Sequence, residues 1–391
     1  MIRLFYAEKD TTLYENYTEQ NTGIDQILEL TKIASGSKLN GEIQANTYNS
    51  RILLDFGTEI TTLSQSVVDG DIPMPHTDNL SSSVFIKLYA ANATDLLQSY
   101  NINAFPISES WVNGGGNYSD IPVQKYGASW YYRDSADVAT LWATGSANSG
   151  NPVAGDASEQ GTGATELAGG GTYIVTGIDG GVGLQSFQNE SPDIRMDVTA
   201  IVRGWIKGDR PNNGFIIKRP QPDELSGEVL GKLQFFSRES HTIYIPRLEV
   251  CWDDLNNEFL NTNNITSDSY VPYIKNIKNE YRASDIARFR IGVRPEFPSK
   301  AYTTSSFYQT NERLPASSSY SIYDSVTDDV IIQDEITYGA SKTKISSDAS
   351  GNYFDLRMDS FMPERYYKIQ LKCVRTKDTQ TFDDFYFKVV R

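Results

Sequence analysis

Histidine and cysteine are almost missing from this sequence, at two residues each in 391, and that scarcity removes whole classes of chemistry. His76 sits in a proline-flanked loop and His241 in a turn beside a strand. A histidine-rich metal site or a Ser-His-Asp triad would have to be assembled from single residues, so neither is expected. Cys251 and Cys373 stand far apart, no CxxC pair occurs, and no disulfide framework is expected. The GxSxG elbow, the HExxH helix and the phosphate-binding P-loop are all absent. Long hydrophobic runs are lacking too. No apolar stretch approaches the length that spans a bilayer, and MIRLFYAEKD holds no basic segment followed by an apolar one, so neither membrane insertion nor a secretory signal is expected. Positive charge is in deficit: 35 Lys and Arg against 50 Asp and Glu give a net charge of −15, which repels nucleic acid and anionic membranes at long range.

What the chain has is aromatic and turn-forming residues. It carries 24 Tyr, 17 Phe and 29 Gly, and β-formers broken by frequent turn residues predict mainly strands. RLFYAEKDTTLYE reads as one strand reaching about Tyr14, and residues 22–33 as a short strand or a turn of helix. NSRILLDFG is a continuous apolar run bounded by Ser50 and Gly57, suited to a buried central strand. Residues 61–69 are ambiguous, DIPMPHTDNLSSS is a loop, VFIKLYAANA alternates as a half-buried strand does, and INAFPIS continues the sheet. WVNGGG turns sharply. No lysine or helix start follows its glycines, so a turn is expected there, not a phosphate cradle. Residues 143–183, largely Gly, Ala, Ser and Thr, have loop composition; a loop of that length is either a place of contact with a partner or a linking insertion.

In residues 191–219, Val198, Ile201, Val202 and Trp205 recur at helical spacing and predict one short helix ending at Gly208, followed by a tight DRPNNG segment and a strand over FIIKR. Such a stripe is a core face, and Val198, Val202 and Trp205 are expected to plug one end of a sheet. GKLQFFSRES and TIYIPRLEVCW read as the closing hairpin of a first domain over 1–253. Residues 254–269 are polar and Asn-rich, as a linker is. Residues 270–391 form a second domain ending in a hairpin of YYKIQLKCVR and FDDFYFKVVR.

Asp197, Val198, Thr199, Val202, Trp205, Gly208, Asn213, Gly214 and Phe215, followed by FFSRES and PRLEV, resemble the end of a DNRLRE-type β-sandwich domain. The NSRILLDFG strand, FIKLYAANAT and the WVNGG turn are similar to its beginning. The resemblance spans residues 1–253, and the long glycine-rich middle departs from the compact pattern. It implies a mainly β protein with an N-terminal antiparallel, jelly-roll-like β-sandwich, followed here by a smaller, Ig-like C-terminal β-sandwich. Domains of this kind occur in secreted and surface proteins and in phage virions.

Candidate chemistry is sparse. The adjacent pairs Asp253–Asp254, Asp328–Asp329 and Asp383–Asp384 would point to opposite faces of a strand, a poor arrangement for joint acid and base work, so they read as solvated charges. Calcium is the one ion to which the chain offers acidic loops, at 69–73 and 134–140; neither fits an EF-hand, and no cofactor is expected. Trp130, Tyr131 and Tyr132 are the candidate ligand or interface residues, because exposed aromatic faces stack on sugars, while the same residues also fit a core. The expectation is a non-enzymatic structural protein of a tailed-phage virion, in the neck, tail, baseplate or a head-attached appendage. Its expected partners are other virion proteins and further copies of itself, with no nucleic acid and no membrane insertion. The alternative is a carbohydrate-binding or adhesive module that takes a host-surface glycan.

Overall fold

The computed structural model describes the chain apart from residues 40–41, 74–81, 136–138, 143–152, 155–168, 176–180, 189–190, 267–268, 298–311, 335–341 and 375–377; for 35–46 and 153–154 it describes the backbone alone. His76 and most of the 143–183 segment lie outside the described residues. The chain is mainly β and built of antiparallel sandwiches. It divides into two compact units, one of Phe5–Glu249 and one of Met1–Leu4 with Val250–Arg391.

The larger unit is organised around the strand Glu42–Asp55. Its second half carries the apolar run anticipated above, and Ile52, Leu53 and Leu54 are all fully buried. Successive strand residues face opposite ways, so three consecutive buried residues mean that both faces of the sheet are covered. Burying each is worth about 1.5–3 kcal/mol. This strand pairs antiparallel with Lys9–Tyr14, Phe215–Lys218 and Ile27–Leu39 inside an eight-stranded curled sheet. A four-stranded sheet runs in the order Ile2–Tyr6, Arg247–Trp252, Ser82–Leu88, Ile194–Asp197.

The helix of the 191–219 segment spans Thr199–Lys207. Asp197 starts it: its carboxylate accepts from the Thr199 amide at 2.9 Å and hydroxyl at 2.6 Å, which satisfies a donor the first turn leaves open. Gly208 stops it in a left-handed conformation (φ 78°), its amide returning to Gly204 and Trp205. Val198, Val202 and Trp205 are buried, and the Trp205 ring lies 4.6 Å from that of Phe215. Gly214 has φ 89°, and a Cβ there would meet the Leu54 carbonyl at 2.1 Å, so this turn requires glycine.

Several stretches that read as single elements are divided between sheets. RLFYAEKDTTLYE forms two strands, Ile2–Tyr6 and Lys9–Tyr14, in different sheets. VFIKLYAANA likewise breaks at Tyr89, between Ser82–Leu88 and Ala90–Thr94. Gly231–Phe236 and Arg247–Trp252 are not a hairpin: the first pairs with Ile27–Leu39 and Ala90–Thr94, and the second lies in the four-stranded sheet. Of residues 22–33, those from Ile27 on lie in a strand, and the ambiguous 61–69 stretch lies, up to Val68, in a helix, Gly57–Val68, that buries Ile60 and Leu63.

The smaller unit packs the sheet Tyr270–Ile274, Ile286–Pro295, Gly351–Arg357, Ser346–Asp348 against the sheet Glu280–Arg282, Thr379–Val390, Arg365–Val374, Ser319–Asp324, Val330–Ile332. Aromatic rings fill the space between: Phe289 stacks on Phe354, Tyr320 stacks on Phe354 at 4.2 Å, and Phe387 lies 5.8 Å from Phe289. The predicted terminal hairpin is present, with Arg365–Val374 antiparallel to Thr379–Val390. Cys251 and Cys373 are both buried.

Candidate functional site

The sequence directed attention to Trp130, Tyr131 and Tyr132, and the structure places them differently from an exposed stacking surface. Trp130 is 5% exposed, so its ring is closed to a ligand. It belongs to a core cluster with Leu13, Leu53, Trp111, Trp142, Tyr173 and Ile216, against which Tyr131 packs half-buried. Tyr132 pairs with Leu141 in a short two-stranded ladder. The cause is a partner from far away in the chain. On the strand, Arg51 shares its face with Leu53, and its guanidinium lies 5.1 Å from the centre of the Trp130 ring.

Arg51 leads into a buried ionic network. Its Nε and Nη2 donate to the Glu224 carboxylate at 3.1 and 2.8 Å, and its Nη1 donates to the Gly170 carbonyl at 2.8 Å. Lys218 Nζ stands 2.8 Å from the same carboxylate and donates to the Tyr173 hydroxyl at 2.9 Å. Lys32 Nζ donates to the backbone carbonyl of Glu224. Burial alone would raise the Glu224 carboxyl, but Arg51 and Lys218 outweigh it and hold it below the usual carboxylate range. Arg51, buried in turn, stays protonated because Glu224 and Tyr173 face it. The network ties Trp130, Gly170 and the Gln221–Leu225 turn to the central strands. Its groups are satisfied by one another, which is an arrangement for holding segments in place.

The surface feature with a built character lies elsewhere, on the loop from Asn117 to Tyr126. Asn21, fully buried, is its anchor. The Asn21 side chain donates to the carbonyls of Asn113 at 2.7 Å and Ala128 at 2.8 Å, and accepts from the amides of Gly23 at 3.1 Å and Gly116 at 2.8 Å. All four of its hydrogen-bonding positions are thereby used. This explains the glycine triplet: a Cβ on Gly114 would meet the Tyr126 carbonyl at 2.2 Å, and one on Gly116 the Asn21 carbonyl at 2.4 Å, whereas Gly115 has open space. The glycines wrap a buried amide. Gln20 then holds the Tyr118 carbonyl at 2.7 Å, and the Asn21 amide holds the Gln124 carbonyl at 2.9 Å.

On this anchored loop several apolar residues face outward beside the exposed Ser119, Gln124 and Lys125. Ile121 is 96% exposed and Tyr126 52%, and Tyr118, Val123, Tyr17 and Ile24 are also exposed. The Tyr17 and Tyr118 rings meet edge to face at 5.6 Å. Comparison with known proteins does not assign this loop a role. No known protein family, curated protein or solved structure matches the chain.

Of the acidic loops weighed for calcium, Asp69 accepts from Gln65 at 2.8 Å, and the 134–140 loop lies partly outside the described residues. Among the described residues no group of three or more His, Cys, Asp or Glu converges as metal ligands. No described helix is long and apolar enough to cross a membrane. Sequence reading passed over 117–126 because NYSDIPVQKY has ordinary turn composition. The available signal was two aliphatic residues, Ile121 and Val123, in a segment that otherwise reads as loop.

Proposed function

We propose that this chain is a non-enzymatic structural protein of a tailed-phage virion that acts through protein–protein assembly. The observation that carries the assembly reading is the Asn117–Tyr126 loop. Its backbone is ordered by Gln20 and Asn21 while Ile121, Val123, Tyr118 and Tyr126 face outward. Apolar residues gathered on a loop already held in one conformation favour association, because little ordering remains to be done on binding. The virion assignment, in the neck, tail, baseplate or a head-attached appendage, draws on the resemblance of residues 191–219 and 49–57 to DNRLRE-type domains. Mass spectrometry of purified particles tests this directly: the chain is expected among the particle proteins in fixed ratio to its neighbours, and particles that lack it would overturn the assignment.

A second reading, a carbohydrate-binding or adhesive module, is favoured by the exposed rings of Tyr17, Tyr118 and Tyr126. Glycan-array binding that disappears in Tyr118→Ala would establish it in place of the first.

A further inference from the structure

We propose that the Asn117–Tyr126 loop docks a protein segment that presents an apolar side chain flanked by lysine or arginine; this deepens the assembly reading and rests on it. Single exposed hydrophobic residues are ordinary, but here six of them, Tyr17, Ile24, Tyr118, Ile121, Val123 and Tyr126, sit on one loop and the turn bonded to it. Ile121, the most exposed, is aliphatic and offers no ring face to a sugar, so the loop suits a protein partner better than a glycan.

The charges beside these residues specify the partner's sign. Asp25 accepts from the Tyr118 amide at 3.1 Å, and Asp120 from the Asn117 amide at 2.8 Å. Neither carboxylate forms an ion pair among the described residues, whereas Glu19 is taken by Lys125 and Glu29 by Lys232. Burial, and then the neighbouring carboxylates Glu29 and Asp120, push the Asp25 carboxyl up to about 6 against the pull of the Tyr118 amide. A cation from outside relieves that crowding. A second copy of the chain, itself carrying a net charge of −15, is disfavoured at long range for the same reason.

The test places the photo-crosslinking residue p-benzoylphenylalanine at position 121 of the full chain, in producing cells and in purified particles. Ile121 is almost wholly exposed, so the substitution leaves folding intact. The expected result is a crosslink to one partner segment in which lysine or arginine adjoins an apolar residue. Its yield should fall about tenfold in Asp25→Asn and at high salt. A probe at Val326, 83% exposed in the other unit, is the control. Crosslinking to an acidic segment, to another copy or to glycan, or a yield no greater than at Val326, overturns the proposal. A specific crosslink in cells, with the chain missing from particles, overturns the virion assignment and leaves the docking surface standing.

Discussion

Replacing Glu224 by Gln should strongly destabilise the Phe5–Glu249 unit. The carboxylate takes two bonds from Arg51, at 3.1 and 2.8 Å, and one contact from Lys218 at 2.8 Å. The side chains of all three residues are at most 5% exposed. After the substitution Arg51 retains the Gly170 carbonyl and the faces of Trp130 and Tyr173, and Lys218 retains the Tyr173 hydroxyl and ring. Both cations lose the Glu224 carboxylate that they share. Breaking a buried pair by removing one partner costs about 3–5 kcal/mol, because a charge is left uncompensated, and here two cations lose the same anion. The expected loss is at the upper end of that range, a large share of the 5–15 kcal/mol that holds a typical domain together. Denaturant unfolding followed by tryptophan fluorescence is the appropriate assay, since Trp130 lies against Arg51 and reports on the network itself. Replacing Arg51, Lys218 and Glu224 together by apolar residues of similar size should recover most of the loss. A Glu224→Gln change of less than about 1 kcal/mol would refute the reasoning, because it would mean that the cations are solvated in the folded chain.

Other substitutions separate local causes. Gly114→Ala should cost about 2 kcal/mol or more, from a left-handed backbone (φ 81°) and a Cβ 2.2 Å from the Tyr126 carbonyl, while Gly115→Ala, with open space, should be near neutral; thermal unfolding distinguishes them. Trp205→Ala removes the ring packed 4.6 Å from Phe215 and should cost about 3–5 kcal/mol by the same measurement. Asp10 is buried, and burial pushes its carboxyl up to about 7 against the bond from the Arg238 amide. A folded-state value above the unfolded one means that the folded chain binds the extra proton, so this group favours folding increasingly as pH falls from about 7 towards 4. Asp10→Asn should therefore stabilise the chain by about 1–3 kcal/mol at pH 8, with the difference vanishing near pH 4; an equal effect at both pH values contradicts the assignment.

The parts of the fold legible in the sequence are those set by local periodicity. The buried run Ile52–Leu54, the stripe of Val198, Val202 and Trp205, and the alternation of the Arg365–Val374 and Thr379–Val390 hairpin each state their own burial. Partner choice is not stated locally. Alternation in VFIKLYAANA tells which residues face inward but not that Tyr89 marks a change of sheet, and the same blindness joined Gly231–Phe236 to Arg247–Trp252. The helix Gly57–Val68 was obscured by threonine and valine, which favour strands in isolation; burial of Ile60 and Leu63 overrides that preference. At the candidate sites the loss was greater. A tryptophan in SWYYRD looks the same whether exposed or buried, and Trp130 is buried by Arg51 and Gly169–Gly170, which lie distant in the chain. The Asn117–Tyr126 loop depends on Asn21 in the same way.

Electron microscopy of the native assembly tests the central claim most directly, because it shows what covers Ile121. Density from another protein is predicted over Ile121, Val123 and Tyr126, with basic side chains beside Asp25 and Asp120. An assembly in which this loop faces solvent in every copy would contradict it.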